Sequence, residues 1–158
     1  MRKRLIALEA HVTTAPDDSA WLDLDGLAEV EISSEDAAHP IEHALQPGNA
    51  SGWRAGGPGP QAIRLVFGQP QRLSRIRLHF EDRDSERTQE YVLRGSTDGG
   101  KTFREIVRQQ WNFSPNGSTA QIEDYRTEMA ALTVLELNIV PHIGGGPAVA
   151  SLESMRLA

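Results

Sequence analysis

From about residue 60 onward, apolar and polar positions alternate at a period of two. In Ile63–Phe67, Ile63, Leu65 and Phe67 share one face, and Pro70 closes the run. Leu73 to Phe80 alternates again, with Ile76, Leu78 and Phe80 on one face and Arg75, Arg77 and His79 on the other. Glu81 to Arg87 is wholly polar and reads as a loop. Gln89 to Ser96 predicts the next strand, and Thr97 to Lys101 carries Asp-Gly chemistry, the strongest short hairpin signal. Phe103 to Phe113 resumes with Val107, Gln109, Trp111 and Phe113 on one face. Pro115-Asn116-Gly117-Ser118 is a second turn. Thr119 to Met129, Leu132 to Val140 and Ala148 to Leu157 complete the series, with the loop Pro141 to Pro147 before the last.

The earlier part is less regular. Leu27 to Ile32 predicts a strand, and Pro40 to Leu45 one or two helical turns. Pro47 to Pro60 is a Gly/Pro-rich loop carrying Trp53 and Arg54. Strand follows strand through short turns, without a long amphipathic helix. That order predicts an all-β antiparallel sandwich or barrel, not a parallel α/β sheet.

At 158 residues the chain is one domain's worth, with enough surface to bury a core. No apolar run is long enough for a membrane helix. The absence of cysteine removes disulfides, thiolate catalysis and cysteine-ligated zinc. The formal charge of −6 argues against nucleic acid as a partner. Ten of the 22 acids fall in residues 1–50 with only three bases, so the remainder is near neutral and Arg-rich. Met1 to Leu8 starts like a secretory signal, but Glu9 and His11 cut its apolar stretch short. The expectation is a cytoplasmic protein with no membrane partner. The glycosylation patterns at Asn49, Asn112 and Asn116 are then chance matches.

Candidate catalytic motifs do not assemble. His39-Pro40-Ile41-Glu42-His43 matches the H-x-x-E-H pattern of inverted zinc proteases. Pro40 fits only a first helical turn, which aims His39 away, and no long helix offers a third ligand. The glycine runs at Gly56 and Gly144 lack the ending of a phosphate loop. Glu123 and Asp124 are adjacent on a strand and so face opposite sides. No enzyme is expected.

Binding chemistry is better represented. Gln110, Trp111 and Asn112 run from a strand into a turn and mix an aromatic with planar hydrogen-bonding groups, the mixture that sugar recognition uses. The periodicity equally allows Trp111 and Phe113 to be core residues. Arg75, Arg77 and His79 with Arg83 and Arg87 could make a cationic rim. The stronger expectation is a solvated face paired with Glu81, Asp82, Asp84 and Glu86. Trp53 is expected to anchor its loop, with Arg54 beside it at the rim. Trp21 is expected to pin the N-terminal segment.

The order of these pieces resembles the discoidin, or coagulation factor 5/8 type C, family of galactose-binding-like jelly-roll sandwiches. The resemblance rests on a helical turn at Ile41 to Leu45, the loop from Pro47 to Trp53, and strands at Ile63–Phe67 and Ile76–Phe80. It is carried most clearly by Tyr91 to Phe103, a strand ending Ser96-Thr97-Asp98-Gly99 and then an aromatic, and by a closing strand from Ala150 to Leu157. It implies a single jelly-roll domain over residues 27–158, with residues 1–26 as an extension packed on it. Many relatives hold a structural calcium between an early Asp and a late Glu. Here those places read Pro47-Gly48-Asn49 and Ser154, with Glu153 one position off and on the opposite face. The expectation is no cofactor, with Asn49 and backbone carbonyls the only donors left for a weak calcium site.

The resemblance implies a non-catalytic module that binds carbohydrate through loops at one end of the sandwich. Arg54, Glu81, Arg83, Arg87, Gln110, Trp111 and Asn112 are the expected ligand-binding residues. The alternative is an intracellular protein–protein interaction module on the same fold. Neither the sugar, the protein partner nor the oligomeric state is legible in the sequence.

Overall fold

The computed structural model describes residues 21–48 and 51–158. The expectations that rest on Met1 to His11, on most of the N-terminal extension and on Asn49 lie outside the described residues. Among the described residues no helix is long and apolar enough to cross a membrane.

The period-two faces become strands. β1 is Ala28–Ile32, β2 Trp53–Pro58, β3 Gln61–Glu81, β4 Arg87–Ser96, β5 Arg104–Phe113, β6 Ala120–Val140, β7 Val149–Leu152 and β8 Ser154–Leu157. Two single-turn helices, α1 (Leu24–Leu27) and α2 (Glu42–Leu45), flank β1. Leu65, Leu73, Ile76, Leu78, Leu93, Leu132 and Leu137 have no measurable exposure, as their alternation with polar neighbours predicts.

Hydrogen bonding runs in the order β1-β3-β6-β4-β5, with β8 on the far half of β3 and a separate β2-β7 ribbon. All pairings are antiparallel. β3 and β6 are each 21 residues long. Gln61 to Val66 of β3 pairs with Val134 to Ile139, beside β1 and β4. Arg75 to Glu81 pairs with Ala120 to Arg126, beside β8. The register shifts between these halves, around Gln71 and Leu73. Each long strand thus passes from one layer of a sandwich to the other through a bulged bend. The layers meet face to face. The Phe80 and Tyr91 rings lie 5.1 Å apart, and the Tyr91 and Tyr125 hydroxyls are hydrogen-bonded between them. Burial, together with the bond to Tyr125, raises the Tyr91 pKa far above the usual phenol range.

Three corrections to the sequence reading concern continuity, the first being that Thr119 to Met129 and Leu132 to Val140 join into one strand, β6. Pro70 does not end its strand, because it sits in the bend where no ladder donor is needed. The closing strand divides at Glu153 into β7 and β8, which pair with β2 and β3 respectively.

A row of alternating charge ties four strands across one outer face. Glu31, Arg64, Glu136 and Arg94 are successive register partners on β1, β3, β6 and β4. Arg64 Nη2 donates to Glu136 Oε2 at 2.6 Å, and Arg94 Nε to Glu136 Oε1 at 3.0 Å. Burial works to raise the Glu136 pKa, but the bonds from Arg64, Arg94 and Asn138 outweigh it and hold the carboxyl below its ordinary range. At the β4–β5 hairpin, Gly99 and Gly100 adopt φ of 77° and 93°, which L side chains disfavour. Asp98 accepts bonds there from Ser96 Oγ and Thr102 N.

Backbone crowding fixes the ribbon. A Cβ on Gly52 would lie 2.2 Å from the Leu152 carbonyl oxygen and 2.5 Å from Glu153 Cα. Gly52→Ala is expected to destabilise the fold by about 1–3 kcal/mol, because backbone cannot yield as a side chain can. Gly57→Ala meets nothing within 4 Å and serves as the control, with an expected change within about 0.5 kcal/mol. Equal melting temperatures for the two variants would contradict this account.

Candidate functional site

The β3–β4 loop, the β6–β7 loop and the β2-β7 ribbon converge at one end of the sandwich. They enclose a cleft of about 650 Å³. Its walls include Arg54 from β2, Glu81 to Arg87 from the β3–β4 loop, His142 to Val149 from the β6–β7 side, and Ser151 and Glu153.

Arg87 organises this end from inside. The residue is 4% exposed. Its Nε donates to Asp82 Oδ2 at 2.6 Å, and its Nη1 to the Pro141 carbonyl at 2.8 Å and to Gln89 Oε1 at 3.2 Å. The guanidinium lies 4.7 Å over the Phe113 ring. One planar cation therefore ties the start of each of two loops to the core. The other Asp82 oxygen, Oδ1, accepts the backbone N–H groups of Asp84 and Ser85 at 2.9 and 3.0 Å. Burial pushes the Asp82 pKa up, but these donors and Arg87 outweigh it, so the net displacement is downward.

His142 supplies a second tie. The Thr88 backbone N–H donates to His142 Nδ1 at 3.0 Å, and the Ile143 N–H to the Thr88 carbonyl at 2.9 Å. A backbone N–H can only donate, so Nδ1 is the acceptor and the ring proton sits on Nε2.

The expected binding residues fall into two groups. Arg54, Glu81, Arg83 and Arg87 line the cleft together. Arg54 and Arg83 are exposed, whereas Arg87 is floor rather than rim. Gln110, Trp111 and Asn112 line a separate shallow depression of about 340 Å³ with Ser118. The two lie on either side of the β4 start, because Thr88 Oγ1 donates to Asn112 Oδ1 at 2.6 Å and the Asp82 N–H to the Thr119 carbonyl at 2.8 Å. Trp111 is half-buried against the core, and its Nε1 is buried without a partner among the described residues.

Trp53 is 1% exposed, with Nε1 donating to the Ser34 carbonyl at 3.1 Å. It anchors its segment and offers no stacking face. Trp21 lies 5.1 Å beneath Arg75, whose Nε donates to Asp124 at 2.8 Å. His79 contacts Glu81 at 3.2 Å, and Arg83 contacts it at 3.9 Å. The basic side chains of that face are thus largely matched by acids and do not form a cationic rim.

Sequence reasoning left several cleft residues out of the expected site. Asp84, Ser85, Glu86, His142, Ser151 and Glu153 all line it. The polar run at Glu81 to Arg87 signalled a loop, but nothing local said that Ser151 and Glu153 would face it. Among the described residues no three His, Asp or Glu side chains converge as a metal cage. His43 of the H-x-x-E-H pattern bonds Ser51 Oγ at 3.0 Å, while His39 sits in a turn 3.8 Å from Asp36. A further groove of about 350 Å³ lies between α1, α2 and β1, lined by apolar side chains such as Val30 and Ile41 with Asp25 and Glu35 at its rim.

A family model, the F5/8 type C domain, matches residues 29–140. No curated protein matches the chain. Several solved structures share its fold. CBM32-3 from a family 31 glycoside hydrolase of Clostridium perfringens superposes with a TM-score of 0.63 at 16% identity, over 88% of this chain and 94% of that one. CBM32-5 from Clostridium perfringens, solved with GalNAc-β-1,3-galactose, gives 0.60 at 19% identity, over 84% and 95%. A pectin-binding carbohydrate binding module gives 0.60 at 16% identity, over 83% and 89%.

Proposed function

Because the chain belongs to the F5/8 type C domain family, we propose that it is a non-catalytic carbohydrate-binding module whose ligand occupies the loop end of the sandwich. The observation that carries this reading is the 650 Å³ cleft, built by loops on a rigid double layer and lined with planar hydrogen-bonding groups. Sandwich folds host many functions, so the site rather than the fold bears the weight. Arg54 and Arg83 project into water and can engage paired hydroxyls bidentately. Glu81, 3.9 Å from Arg83, supplies an acceptor on the same wall. Arg87 and Asp82 hold the loops and spend their bonding capacity on each other and on backbone.

The second depression offers different chemistry. Trp111 exposes part of an aromatic face, and Gln110, Asn112 and Ser118 are exposed beside it. Sugar rings stack on such faces while their hydroxyls reach the amides. The two depressions therefore need separate variants. On a glycan array, with and without calcium, a reproducible hit is expected from the intact protein. Arg83→Ala is expected to weaken that hit about tenfold, since it removes a charged hydrogen-bonding group from the cleft. Asn112→Ala is expected to leave it within a factor of two. The opposite pattern would move the site to Trp111. A blank array from folded protein would favour the protein-interaction reading.

A further inference from the structure

Resting on the reading of the cleft as the sugar site, we infer that its ligand carries positive charge, as an amino sugar with a free ammonium group does. The inference follows from which charges the cleft already uses. Arg87 and Asp82 are closed on each other at 2.6 Å. Arg83 and Glu81 lie 3.9 Å apart, so their charges cancel in the sum while the Arg83 N–H groups stay open to hydroxyls. What remains on the walls is Asp84, Glu86 and Glu153 against Arg54. None of these three carboxylates has an ion-pair or side-chain hydrogen-bond partner among the described residues. The surplus offered to a ligand is therefore negative.

A second observation points the same way. Among the described residues the cleft is lined by no Phe, Tyr or Trp, its one ring being the His142 imidazole. A neutral pyranose gains much of its affinity by laying its apolar face on a large aromatic ring, and these residues supply none. Recognition here must come from charge and hydrogen bonding. Asp84 and Glu86 are exposed and Glu153 is half-buried, and a concave wall that gathers three carboxylates focuses attraction for a cation more than the same charges on a flat surface. Ser85, Ser151 and the Nε2–H of His142 remain for the hydroxyls of such a ligand.

Isothermal titration distinguishes the cases. The probes are a glucosamine pentamer, its N-acetylated counterpart and a galacturonic acid pentamer, at pH 6 and low salt. The cationic oligomer is expected to bind at least about fivefold tighter than the neutral one, the worth of two weak ion contacts, and the anionic one not at all. Its affinity should fall as salt is added, and again as the pH is raised enough to deprotonate the amine. The triple variant Asp84→Asn, Glu86→Gln, Glu153→Gln should erase the preference while keeping its melting temperature, because these side chains hold nothing internally. Equal or tighter binding of the neutral or anionic oligomer would overturn the charge inference and leave the carbohydrate reading standing. If no sugar binds the folded protein, both fall together.

Discussion

Replacing Arg87 with alanine is expected to lower the unfolding free energy by about 3–5 kcal/mol, the usual consequence of removing one partner from a buried ion pair. The side chains of Arg87 and Asp82 are 3% and 15% exposed, so solvent cannot replace the lost contact. The change orphans the Asp82 carboxylate, the Gln89 amide oxygen and the Pro141 carbonyl at once, and uncovers the Phe113 ring. Lysine should recover only part of the loss, since a point charge cannot serve three acceptors that diverge in one plane. Denaturant midpoints for the wild type, Arg87→Ala and Arg87→Lys measure this directly. A loss below about 1 kcal/mol in Arg87→Ala would show that the loops stand without it.

Acid should report the same pair. The folded Asp82 carboxyl titrates below its unfolded value. Its contribution is therefore complete above the ordinary carboxylate range, about pH 4, and is lost as the pH falls through the lower folded value. The stability gap between wild type and Arg87→Ala should narrow over that interval. The loop end, and with it ligand binding, should be the first part of the molecule to loosen.

The second large effect is expected at Trp53. Trp53→Ala removes the largest fully buried side chain and frees the Ser34 carbonyl, at a cost of about 3–5 kcal/mol. Trp111→Ala, at a half-buried position, should cost about 1–2 kcal/mol. The contrast separates an aromatic that holds the fold from one with a face left for a ligand. If both variants lost equal stability in denaturant titrations, Trp111 would be a core residue and its depression would have no stacking platform.

The strands legible in the sequence were those with one dry face. Ile76, Leu78 and Phe80 alternate with charged residues, and all three are buried. β2 was hidden because Trp53-Arg54-Ala55-Gly56-Gly57-Pro58 contains three residues that usually mark turns. It forms a strand because β7 supplies a partner from a hundred residues away, which no local window shows. β6 read as two strands since Ala130 and Ala131 interrupt the alternation at the bend. For the site, residue type pointed to the right end of the sandwich. It could not reveal that the β4 start divides Arg54, Glu81, Arg83 and Arg87 from Gln110, Trp111 and Asn112. Nor could it show that Arg87 is consumed by the scaffold, because its acceptors at Gln89 and Pro141 come together only through tertiary pairing.

The passage of β3 and β6 through both layers has a kinetic meaning. Gln61 must find Ile139 and Glu81 must find Ala120, so the central pairing closes loops of roughly forty to eighty residues before it returns any hydrogen bond. Contacts of that span make the search slow, on the millisecond-to-second side of two-state folding. They also make it indivisible. Melting one layer would pull the same two strands out of the other, so no stable half of this sandwich is left behind.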